Sequence, residues 1–264
     1  LTGEDERMKR AWILALLGLM GSGAAEAGAV RYEVEGKPFE GYYLAGADKD
    51  APLVVLVHDW DGLNGYEIKR AEMLVALGYS VFAVDLFGAG VRPSTVEDKK
   101  RLTGALYQDR TRMRTLLQGG LAEAGRQGGR LDNAVALGYC FGGAVVLNAA
   151  RQGVPLAGVV SFHGALATKT PAEPGKVKAK ILVEHGALDS MVTAQNVAAF
   201  KSEMDKAGAD YTFVSLEGAK HGFSNPDADR LGHGDHGGPD IGYNKAADDK
   251  SWADMQAFFK KLFG

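Results

Sequence analysis

The stretch "NAVALGYCFGGAVVL", residues 133–147, decides the fold. Asn133–Leu137 is a short apolar run, the mark of a strand buried on both faces. It leads into Gly138, and Phe141–Ala150 follows with the pattern of a helix. Between them stands Cys140, the only cysteine in 264 residues, in the pattern G-x-C-x-G. A strand, a sharp bend and a helix in that register hold a nucleophile at the bend, here Cys in place of Ser. The bend forces an unfavourable backbone conformation on that residue, predicted to have positive φ. Side chains two before and two after it would collide, so glycine is required at Gly138 and Gly142, and Gly143 lets the helix approach the sheet. The thiol then projects at a helix N-terminus, whose dipole and free N–H groups favour thiolate. A lone cysteine is more often core packing; the register around Cys140 shifts the balance toward chemistry.

Working outward, Leu53–Val57 and Ser80–Leu86 are further buried strands before the bend. Ala157–Phe162, Ile181–Glu184 and Thr212–Leu216 follow it. Val30–Val34 and Phe39–Leu44 alternate like half-exposed strands around the turn Gly36-Lys37-Pro38. Helical patterns cover Tyr66–Leu77, Thr95–Arg126 with a break near Asp109, Thr193–Ala207 and Lys245–Phe263. Buried strands alternating with helices predict an α/β fold, a mostly parallel central sheet with helices on both faces. Ligands of such sheets bind at the carboxyl ends of the strands, so the loops there hold the candidate chemistry.

A nucleophile at this bend takes its acid and base from later loops, in the order nucleophile, Asp/Glu, His. Asp189 follows the strand Ile181–Glu184, and His221 follows Thr212–Leu216. His221 would take the thiol proton, and Asp189 would hold the imidazole tautomer. His163 and His185 also follow strands and are rival imidazoles or supporting groups. Acyl transfer needs oxyanion donors: the N–H of Phe141, after the nucleophile, and the N–H of Trp60 in the loop after Leu53–Val57. The Trp60 indole serves equally as a pocket wall.

The 30 basic and 33 acidic residues give a net charge of −3, no footprint for nucleic acid or anionic membrane. One cysteine forms no internal disulfide, and no Cys/His spacing resembles a zinc site. His233, His236 and Asp240 form a metal-capable set, read in preference as a Gly-rich surface loop. Met8-Lys9-Arg10, the apolar run Ala11–Met20 and Ala25-Glu26-Ala27 read as a signal peptide cut before Gly28, hence a protein exported to the periplasm. Residues 1–7 read as upstream sequence before the start Met8, and residues 28–264 as one domain. The run is about half the roughly 20 residues a bilayer span needs.

The stretches "VHDWDGLN", "LGYSVFAVDLFG", "LGYCFGG", "EHGALD" and "GAKHGFSNP", spread over residues 53–226, resemble the dienelactone hydrolase family of α/β-hydrolases. The tail "IGYNKAADDKSWADMQAFF" is similar to a subgroup of it. The resemblance implies a Cys140, Asp189, His221 triad, oxyanion N–H groups from Trp60 and Phe141, and no cofactor. It implies an acidic residue beside the thiol, which here is Asp59 rather than glutamate. It implies two arginines on a substrate carboxylate. Here Asn225 stands at one of those positions, and Arg92 is the arginine nearest the other. Phe223 accompanies them as a substrate-side residue. The function expected is hydrolysis of a small-molecule ester or lactone through an acyl-enzyme. The alternative is a non-catalytic small-molecule-binding protein on the same scaffold.

Overall fold

The computed structural model describes residues 28–232 and 241–264. The leader segment and the His233, His236 and Asp240 set lie outside the described residues. Eight strands form one sheet in the order β1-β2-β4-β3-β5-β6-β7-β8. These are β1 (Gly28–Val34), β2 (Lys37–Leu44), β3 (Pro52–Val57), β4 (Ser80–Val84), β5 (Arg130–Tyr139), β6 (Gly158–Phe162), β7 (Lys180–Gly186) and β8 (Tyr211–Leu216). Strands β3 to β8 run parallel, and the β1–β2 hairpin is antiparallel along one edge. The fold is that of the α/β-hydrolases, as the alternation of apolar runs and helices predicts.

Successive residues of each central strand feed two cores. Leu53, Val55 and Val57 join Met113, Leu116, Phe200 and Met204 on one face. Val54 and Leu56 join Leu74, Met255 and Phe259 on the other. Both faces are covered, so runs such as Leu53–Val57 and Val81–Val84 are apolar at every residue. Helices α1 (Gly65–Ala76) and α7 (Lys245–Phe263) lie on the second face. The first face carries α2 (Val96–Gln108), α3 (Arg110–Arg126), α4 (Phe141–Arg151) and α5 (Ala194–Ala207). A short helix α6 (Ala228–Gly232) has no counterpart in the sequence pattern.

Local chemistry sets the boundaries. Asn64 caps α1 through a reciprocal pair with Glu67. The break near Asp109 is real: Asp109 ends α2 and accepts the Arg112 N–H at the start of α3. Strand β4 stops at Val84, two residues short of expectation. The reason is that the buried Asp85 carboxylate turns inward to accept N–H groups of Glu40, Phe87 and Gly88.

Candidate active site

Cys140 joins β5 to α4 at φ 49° and ψ −108°, a region that L side chains rarely adopt. The flanking glycines are there for space. A Cβ on Gly138 would lie 2.2 Å from the Gly142 carbonyl carbon, and one on Gly142 would lie 2.3 Å from the Val57 oxygen. The bend is also held by hydrogen bonds. The Cys140 N–H donates to the Phe162 carbonyl at 3.0 Å and lies 3.2 Å from Nδ1 of His163.

The loops after β7 and β8 bring two more groups to the sulfur. Nε2 of His221 is 3.1 Å from Cys140 Sγ, and its Nδ1 is 2.8 Å from Asp189 Oδ2. Asp189 is immobilised through its other oxygen, which accepts the N–H groups of Met191 and Val192. The hydrogen bond to Asp189 Oδ2 therefore sets the tautomer of His221, with Nδ1 protonated and Nε2 facing the sulfur.

The loop after β3 supplies the other wall. The Asp59 carboxylate and the Cys140 thiol line the same pocket and perturb each other's ionisation. The Trp60 N–H donates to Asp59 Oδ1. The Phe141 N–H faces the sulfur. Of the two expected oxyanion donors, the Phe141 N–H thus acts on the sulfur, while the Trp60 N–H is turned onto a carboxylate. Burial, then the Asp59 carboxylate, push the Cys140 thiol well above its ordinary range. This corrects the expectation that the helix N-terminus leaves a thiolate. The Phe141 N–H does favour the anion, but desolvation outweighs it.

Two residues that the sequence did not single out set the Asp59 loop. Glu67 accepts the N–H groups of Asp59 and Asn64, and burial raises its carboxyl to about 8. His58 accepts the Leu86 N–H at Nε2, so its Nδ1–H donates to the Asp59 carbonyl at 2.6 Å. Asp61 is raised to about 6 by burial and by Asp59. The buried Lys99, whose ammonium lies 5.1 Å from the Trp60 ring, offsets this cluster of acids. The Asn-Gly-Tyr-Glu run at 64–67 was the available signal for Glu67, since it is a capping sequence.

His163 sits directly after β6 at φ 40°. It accepts the Cys140 N–H, so its Nε2–H donates to Ser224 Oγ at 2.9 Å. Burial, then His221, lower its pKa well below the ordinary value. It is a neutral prop beneath the bend. Behind Ser224 lie Tyr66, Arg70 and the Asp248 carboxylate of α7, with Arg70 Nη2 2.6 Å from Asp248 Oδ1. His185 packs instead on Phe213, with ring centroids 5.5 Å apart.

A pocket of about 240 Å³ opens over the sulfur. Trp60, Met191, Ala228 and Ile241 give it apolar walls; Lys100 and Asn225 also line it. Two expected substrate-side residues are not among the lining. Arg92 is drawn off by the buried Asp85, whose Oδ1 is 3.8 Å from its Nη1. Phe223 is fully buried, edge-on to the His163 ring at 5.1 Å.

The parallel sheet and the strained residue at its bend define an α/β-hydrolase. The family model for the dienelactone hydrolase family matches residues 39–263, and the chain belongs to that family. A solved structure named m3DLH is 30% identical over 92% of this chain and 100% of its own, with a TM-score of 0.83. A dienelactone hydrolase-like promiscuous phosphotriesterase from metagenomic libraries is also 30% identical, over the same shares, with a TM-score of 0.81. A Salmonella typhimurium protein named as a candidate carboxymethylenebutenolidase is 23% identical over 92% of this chain and 90% of its own. The chain is a hydrolase by family, and family and neighbours together support action on esters or lactones.

Proposed function

We propose that this protein hydrolyses small, largely apolar carboxylic esters or lactones through a thioester acyl-enzyme on Cys140. The observation that carries this is the chain of contacts from Cys140 through His221 to Asp189, at 3.1 and 2.8 Å, opening on a pocket. At rest the thiol is neutral. An entering carbonyl oxygen competes with the Asp59 carboxylate for the Trp60 N–H, and its arrival frees that donor for the developing oxyanion. The thiol proton passes to His221 Nε2, and the sulfur attacks the carbonyl carbon. The tetrahedral oxyanion is held by the N–H groups of Phe141 and Trp60. Collapse expels the alkoxide, which takes the proton from His221. Water then attacks the thioester with His221 as base, releasing the acid and restoring the thiol.

The substrate class follows from the walls. Arg92 is engaged by Asp85, and Asn225 is uncharged, so no paired guanidinium clamp faces the sulfur. Short neutral acyl groups fit the apolar lining better than carboxylates. The leader read at residues 8–27 makes action outside the cytoplasm part of this proposal.

The test is hydrolysis of p-nitrophenyl acetate by the parent and by Cys140→Ala, with circular dichroism to establish that the variant folds. Loss of activity in a folded variant supports the proposal, and full activity overturns it. A panel of short esters, thioesters, lactones, dienelactone and one phosphotriester then ranks the leaving groups.

A further inference from the structure

A second cavity, of about 250 Å³, lies among the start of α3, the end of α4 and the segment that follows β6. It shares no lining residue with the pocket over Cys140. Arg110, Arg114, Arg151 and Lys176 line it, against one carboxylate, Glu173. Arg151 is already satisfied. Its guanidinium donates to both oxygens of Glu203, at 2.8 and 2.9 Å, and to the Leu166 carbonyl. The other cations are not. Arg114 makes no ion pair among the described residues, and its Nε is buried without a hydrogen-bond partner. Arg110 rests on the Tyr107 ring at 4.9 Å and otherwise reaches only the Met113 sulfur at 3.9 Å.

A guanidinium taken from water without a carboxylate or carbonyl partner is costly. Here two half-buried guanidiniums, one with its Nε buried and unpartnered, share one concavity with an ammonium. For Arg110 the environment already opposes the charge: burial, offset in part by Tyr107, and then the nearby Arg151 charge make its cation less favourable. Nor is the position of Arg110 accidental. Its carbonyl accepts hydrogen bonds from the side chains of Asn148 and Gln152, at 3.2 and 3.0 Å, which lock it to the end of α4. With Arg151 offset by Glu203, the lining carries Arg110, Arg114 and Lys176 against Glu173, an excess of two positive charges.

From this geometry we propose that the cavity is a binding site for a small phosphate dianion, either free phosphate or the terminal group of a small phosphomonoester. Planar guanidiniums match phosphate oxygens with paired N–H donors, and the ammonium adds a point charge. Three cations from two segments, Arg110 and Arg114 a turn apart on α3 and Lys176 after β6, suit a tetrahedral anion bearing close to two charges. The site does not depend on the reaction assigned to Cys140.

The test is isothermal titration of the whole protein with inorganic phosphate and with glycerol phosphate, against chloride at equal ionic strength. Phosphate should bind where chloride does not. Arg114→Gln should weaken binding about tenfold or more, and the exposed Lys176→Gln about threefold. Glu173→Gln should tighten it about threefold, because it removes the one opposing charge. Arg114→Gln should leave ester hydrolysis in phosphate-free buffer unchanged. Tighter binding of glycerol phosphate would assign a phosphomonoester and tighter binding of inorganic phosphate a free anion; either upholds the site. Binding no stronger than chloride's, or equal affinities in the parent, Lys176→Gln and Glu173→Gln, would overturn it.

Discussion

Replacing Asp59 by Asn should make Cys140 a more acidic thiol. The carboxylate beside the sulfur is, after burial, the largest reason that the thiolate is disfavoured. Two unit charges about 4 Å apart repel by about 4 kcal/mol at an effective dielectric constant of about 20. The Trp60 N–H and the Lys99 ammonium, which also act on the Asp59 carboxylate, offset part of this repulsion. Allowing about half the repulsion leaves roughly 2 kcal/mol, a factor of about thirty in the ratio of thiolate to thiol at about 1.4 kcal/mol per tenfold. The thiolate fraction near neutral pH would rise about thirtyfold. A less basic thiolate is a weaker nucleophile, with a Brønsted slope of about 0.45, so the net gain in alkylation rate is about sixfold. The assay is the rate of iodoacetamide labelling against pH, with Cys140→Ala as the blank. The midpoint should move down in Asp59→Asn. An unmoved midpoint, or one displaced upward, would refute the account of how the resting thiol is kept neutral.

His221→Ala should lose about a thousandfold or more in kcat/KM for p-nitrophenyl acetate, the scale of a general base. His163→Ala, which removes a prop and not a proton acceptor, should retain part of kcat with KM little changed; equal losses in steady-state assays would contradict these separate roles. Gly142→Ala places a Cβ against the Val57 carbonyl oxygen at 2.3 Å. It should cost about 3 kcal/mol in urea unfolding, and a parent-like midpoint would count against the close-approach argument. Glu184 is buried in β7, neither carboxylate oxygen has a partner, and burial raises it to about 8. Its folded form holds a proton that the unfolded chain releases near pH 4.5, so stability is lost as pH rises from about 5 to about 8. Glu184→Gln should therefore gain about 2 kcal/mol over the parent at about pH 8 and little at about pH 5, a trend read from denaturation at both pH values.

The sheet was legible because its central strands are buried on both faces, which leaves runs such as Leu53–Val57 uninterrupted by polar residues. The bend at Cys140 was legible because glycine is the only residue that fits at Gly138 and Gly142. Asp189 and His221 were singled out by their order, each in a loop at the same sheet edge, and His221 lies between Asp189 and the Cys140 sulfur. What spacing does not encode is where a loop side chain turns once it arrives. Arg92 lies near the expected place in the chain, yet a carboxylate hidden under β4 claims it. Phe223 follows His221 by two residues and faces inward, because the backbone reverses at Gly222, φ 70°. The ionisation of Cys140 was misjudged because a helix end is visible in sequence and the dryness of a site is not.

The row of contacts behind His163 has a consequence for anyone altering this protein. Through Ser224 and Arg70 it fastens the nucleophile's backbone to Asp248 at the front of the last helix. That helix is a structural buttress for the reacting sulfur, although none of its own side chains lines the pocket. Changes aimed at its leading turn will therefore register as altered turnover before they register as lost substrate affinity.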